Sequence, residues 1–185
     1  MDFKPTEAKI SLHGLGFIQL VLGGNQRLHV WHPDLPRRRC FEHSQVHDHR
    51  FGFVSRVLVG EQENSVWAAG PVRLGEDMFT QYRHEGPRTE FGNRPWTPSD
   101  RVALTRAHLE VVRPGEQYEM RQYVFHSTRP LGDGRVATLM RKVYEGDEGA
   151  TSLCRSGFTP DKDFDRLQLS ETELWNVVRE VLSCG

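Results

Sequence analysis

Apolar and polar residues alternate along most of the chain in short runs closed by glycine or proline, the period-two signature of strands with one buried face. Residues 17–22 and 26–32 read as a β-hairpin around Gly23-Gly24-Asn25. An apolar run at 51–59 ends at Gly60, and further strands are predicted over 64–69 and 78–84. Strands resume at 102–106 and 107–113, as two strands or one bent one, and again at 118–127. Leu131-Gly132-Asp133-Gly134 is a hairpin signal leading into a strand over 136–144. Residues 85–100 hold three prolines and two glycines, which predicts a long ordered loop or lid.

Two stretches depart from this pattern. Residues 5–13 are expected to form a short helix with Thr6 as its cap. Near the C-terminus, Ser170 and Glu173 have the spacing of a capping box, and Leu174, Val177, Val178, Val181 and Leu182 fall on one helical face. The expected architecture is therefore all-β: eight to eleven strands in a sandwich or barrel over about 15–146, a helix at each end (the second over about 170–183), and one domain spanning 1–185.

Composition narrows the function. A net charge of −1 gives no electrostatic reason to bind nucleic acid or a membrane surface. Three scattered cysteines fit neither a disulfide framework nor a CxxC zinc site, so a reducing compartment is the default. With no apolar leader and no window near 18 apolar residues, a cytoplasmic, soluble protein is expected.

Candidate chemistry concentrates in FEHSQVHDHRFGFVSRVLVG, residues 41–60. On a strand, His47 and His49 project from the same face, as a metal-ligand pair must. Chance alone supplies on the order of 0.4 such pairs in a chain with this many histidines, so the pair needs support elsewhere. Support comes from Gly60 and from His126, eleven residues after Gly115.

With these spacings the chain resembles the cupin superfamily, small jelly-roll β-barrels that carry the signatures G-x5-H-x-H-x3,4-E-x6-G and G-x5-P-x-G-x2-H-x3-N. His47, His49 and Gly60 fit the first, and Gly115 and His126 the second. Phe41 stands for its first glycine and Phe53 for its metal-binding glutamate. Arg121, Tyr123 and Pro130 replace the proline, glycine and asparagine of the second. The resemblance implies a cupin barrel with a three-histidine metal site, His47, His49 and His126, similar to the cysteine-dioxygenase-like branch, whose members use Fe(II) and O2. Zn, Ni, Mn or Cu are alternatives to iron. Without a carboxylate ligand the metal keeps its full positive charge, which favours a small anionic substrate. A redox-neutral isomerase or lyase and a non-catalytic binding barrel are the competing readings.

Around these histidines, Tyr118 and Arg141 are expected to orient substrate. His43 or Gln45 is a candidate fourth ligand, and His29 and His32 lie on opposite faces of one strand. By analogy with the family, a homodimer is the expected assembly.

Overall fold

A computed structural model describes residues 9–185. Two antiparallel sheets carry the fold. The six-stranded sheet runs in the order β1 (Lys9–His13), β2 (Phe17–Val21), β3 (Gln26–Trp31), β10 (Val136–Glu145), β4 (Phe51–Val59), β8 (Gln117–Met120). The five-stranded sheet runs β11 (Ala150–Arg155), β6 (Met78–His84), β7 (Trp96–Val112), β5 (Gln62–Gly70), β9 (His126–Pro130). No helix among the described residues is long and apolar enough to cross a membrane.

One helix, α1 (Glu171–Leu182), covers the outer face of the six-stranded sheet. The Ser170 hydroxyl accepts from the Glu173 amide and the Glu173 carboxylate accepts from the Ser170 amide, completing the capping box. Leu174, Val178 and Val181 are buried against Ile10, Leu12, Ile18, Leu20, Leu28 and Val30. Each such side chain contributes roughly 1.5–3 kcal/mol when fully removed from water.

Where a helix was expected over 5–13, Lys9–His13 is an edge strand, and residues 5–8 lie outside the described residues. Ile10 and Leu12 are buried while Lys9, Ser11 and His13 are not, a spacing that suits a strand paired with β2. The long loop is shorter than predicted, because β7 begins at Trp96, paired with His84. The bend in β7 is a bulge, placed by the register shift at Val66/Trp67 of its partner β5. Residues 118–127 do not form one strand. The chain turns at 121–125, where Tyr123 takes φ 58°, and β8 and β9 join different sheets. Likewise the turn at 131–134 passes the chain from β9 to β10 across the sheets and pairs neither with the other. β11 was not anticipated from the sequence.

The sheets meet at residues 46–48. His47 pairs with His126 at one edge of the five-stranded sheet and with Ser152 at its other edge, closing that sheet on itself at one end. A few residues on, the same chain enters β4 in the six-stranded sheet. A bulge near Leu58 then turns Val57 toward the interior and Val59 toward α1. Gly60 follows with φ 69°, and a Cβ there would lie 2.1 Å from the Arg135 carbonyl oxygen, so only glycine fits this turn.

Candidate metal centre

The three histidines named by the sequence come together. His47 and His126 sit directly opposite one another and exchange both backbone hydrogen bonds, at 3.0 and 2.8 Å. Opposed residues of an antiparallel pair send their side chains to the same face, so the two rings lie 4.6 Å apart. His49 is not on a regular strand as expected. It occupies the short irregular link before β4, where its carbonyl accepts from the Tyr123 amide at 2.8 Å. Its ring stands 4.9 Å from that of His47 and 5.0 Å from that of His126. One ligand nitrogen from each ring lies within 4.8 Å of the other two.

Two of the imidazoles are oriented from behind. His47 Nδ1–H donates to the Gln45 carbonyl at 2.9 Å, and His126 Nδ1–H to the Val124 carbonyl at 3.2 Å. This tautomer leaves Nε2 with a free lone pair, the arrangement common behind metal-ligating histidines. Burial, then the neighbouring His126, lowers the pKa of His47 to about 3. Burial lowers His126 to about 4 against the opposing effect of its hydrogen bond to the Val124 carbonyl, and burial first also holds His49 well below its usual value. All three are neutral at physiological pH, as ligands must be. The donor set therefore fits a divalent transition metal by type and grouping: three neutral nitrogens within 4.8 Å of one another on the wall of a cavity.

That cavity has a volume of about 860 Å³. Phe51, Phe53 and Met140 form its apolar wall beside the histidines. Phe53, at the position of the family's glutamate, presents its edge to His49 at 5.5 Å and to His126 at 6.0 Å. Tyr118 also lines the cavity, edge-on to Phe53 at 5.9 Å, and burial raises its phenol pKa so that it keeps its proton. Arg141 does not reach the site. It lies on the exposed outer side of β10, whose Met140 and Lys142 are the residues that face in. Gln45 lines the cavity, whereas His43 stacks on Phe158 at 3.5 Å.

Several cavity residues were not assigned to the site from sequence. His13, Arg27, His29 and Arg166 all line it. A signal did exist: on β3, Arg27, His29 and Trp31 alternate with Leu28 and Val30, so one face of that strand is polar or amphipathic while the other is aliphatic after Gln26.

No protein-family model matches the chain, and no curated protein matches it either. The all-β architecture and the three-histidine group fit a cupin-like barrel on their own geometry.

Proposed function

We propose that the chain is a metal-dependent cupin, a mononuclear Fe(II) dioxygenase or related oxidoreductase acting on a small anionic substrate, with His47, His49 and His126 as the ligands. The observation that carries this reading is the convergence of three neutral imidazoles, their ligand atoms within 4.8 Å of one another, on the wall of a substrate-sized cavity. The resemblance to the family's motifs gains support from the turns. Gly60 and Gly115 have φ 69° and 89°, and Tyr123, which replaces a motif glycine, keeps a left-handed φ of 58°.

A bound iron supplies a site where an anionic substrate and O2 meet. The protein's own contribution is separable from that. The carbonyls of Gln45 and Val124 fix two of the imidazoles, and Phe51 and Phe53 keep water from the reacting end. Tyr118 adds a protonated hydroxyl to the cavity wall, beside Ser55.

Elemental analysis of the purified protein tests the centre: about one transition-metal ion per chain is expected, lost in His47→Ala and His126→Ala. Metal content unchanged in both variants overturns the ligand assignment. Oxygen uptake with a panel of thiols and 1,3-dicarbonyls tests the redox chemistry. An iron-loaded protein that consumes no oxygen with any of them moves the assignment to a redox-neutral isomerase or lyase.

A further inference from the structure

Beyond Phe51 the cavity changes character. Phe51 stacks on His49 with centroids 4.9 Å apart, and two cations sit over the same ring, Lys142 Nζ at 4.4 Å and Arg27 Cζ at 5.2 Å from its centroid. Arg27 shares the inward face of β3 with His29.

Arg166 enters the same cavity from the segment between β11 and α1, and is only 8% exposed. Its Nε donates to the Leu12 carbonyl at 2.9 Å and its Nη2 to Gln19 Oε1 at 3.2 Å. These neutral acceptors fix the guanidinium without cancelling its charge. Arg88 lines the cavity from the loop 85–95, where its Nη1 donates to the Gly92 carbonyl. That loop rests on Arg166: Phe91 O accepts from the Arg166 amide at 3.1 Å, and a Cβ added at Gly92 would lie 3.4 Å from the Arg166 stem.

Of the other cations lining the cavity, three are neutralised, while Arg38 and Arg94 donate to the Ser44 and Gly86 carbonyls. Arg50 pairs with Glu145 at 2.6 Å, Arg83 with Glu148 at 2.6 Å, and Lys142 with Glu145 at 3.6 Å. Arg27, Arg88 and Arg166 form no ion pair among the described residues, although the chain has 25 acidic residues. They also sense one another. Burial, then Arg88 and Arg27, lowers Arg166 to about 10, which leaves it charged at neutral pH. Like charges held together in a partly dry cavity are unfavourable unless an anion joins them.

We infer that Arg27, Arg88 and Arg166 form an oxyanion subsite that takes the multiply charged end, a phosphate monoester or a dicarboxylate, of the molecule whose other end faces the histidines. A single carboxylate would leave most of the charge on three guanidiniums uncompensated, while a dianion matches it and uses their paired donors. The subsite deepens the proposed function, and it relies on the metal reading only for what occupies the histidine end.

The test is calorimetric titration of the full chain with inorganic phosphate and, separately, with succinate, for wild type, Arg27→Gln and Arg88→Gln, with metal content measured on each sample. Arg88 is on an exposed loop, so its substitution is expected to leave the fold intact. Saturable binding of either oxyanion is expected, weakened on the order of tenfold or more by each substitution with metal content unchanged. Phosphate alone binding identifies a phosphate monoester, and succinate alone a dicarboxylate; binding of both supports the shared chemistry. Affinity equal in wild type and both variants, or no binding of either anion to folded, metal-loaded protein, overturns the subsite and leaves the metal centre standing. A protein that holds no metal but binds oxyanion through Arg27 and Arg88 retains the subsite and loses the metal centre.

Discussion

The two faces of the six-stranded sheet are built from alternate residues of the same strands and do opposite work. Toward α1, the strands present Ile10, Leu12, Ile18, Leu20, Leu28 and Val30, all buried. Toward the cavity the same three strands present Ser11, His13, Gln19, Arg27, His29 and Trp31. The helix side is dry and its contacts are interchangeable dispersion contacts. The cavity side holds groups that are costly to bury: burial lowers His29 to about 3, with Arg27 adding to the effect, and Arg166 is charged and nearly enclosed. The contrast suggests how a polar cavity is tolerated here. The sheet is anchored from behind by aliphatic packing, so the face in front is free to carry chemistry.

The largest expected effect breaks the anchoring side. Leu28→Ala removes a side chain that is 1% exposed within the helix-side cluster and is expected to destabilise the protein by about 2–5 kcal/mol, read from urea unfolding. Metal content per folded chain should stay at the wild-type value. On the opposite side His126→Ala is expected to reverse this pattern, abolishing metal binding while costing less stability in the metal-free protein than Leu28→Ala. Removing a partner behind a ligand typically costs 10–100-fold in metal affinity, so removing the ligand itself should exceed that. If Leu28→Ala loses metal while fully folded, the two faces are not separable in the way the packing implies.

Acidification acts mainly on the cavity side. His47, His29 and His126 have folded values of about 3, 3 and 4 against 6.5 for an ordinary histidine. Below pH 6.5 the unfolded chain therefore binds more protons than the folded one, and the metal-free protein loses stability as pH falls toward those values. Asp48 opposes this, since burial raises its carboxyl to about 6 and it gains stability as pH falls from there toward 3.8. The net expectation is a loss between pH 6.5 and 5, on the order of 1 kcal/mol for each histidine, seen as a falling urea midpoint in metal-free protein. A flat midpoint across that range would show that the cavity histidines are well hydrated.

Much of this contrast was legible in the sequence, and what was not has physical causes. The strand runs and the capping box at Ser170 follow from local periodicity, which packing then reinforces. The triad was found because its spacing matches a known pattern, and because opposed strand residues share a face. Arg141 was misplaced because parity along β10 is set by its partners: Met140 and Lys142 face the cavity, so Arg141 faces out. Edge strand β1 looked helical because its charged and apolar residues suit either period over so short a run. Arg27 and Arg166 could not be paired from sequence, since 139 residues separate them and only the sheet's packing brings both to one cavity.

The smallest effect tests whether the helix side can be loosened gently without disturbing the cavity. Ser170→Ala removes the hydroxyl that accepts from the Glu173 amide and leaves one of the first-turn donors of α1 without its partner. The expected loss is about 1 kcal/mol of stability. Because α1 lies behind the sheet, its fraying should expose Leu174 first, near the N-terminal end of the helix, and leave His47, His49 and His126 in register. Hydrogen exchange should therefore quicken at the amides of the first turn of α1 and stay unchanged at His47 and His126, whose amides bond each other's carbonyls across the sheet edge. Faster exchange at those two amides would mean that the helix supports the metal centre directly, and that the two faces form one cooperative unit.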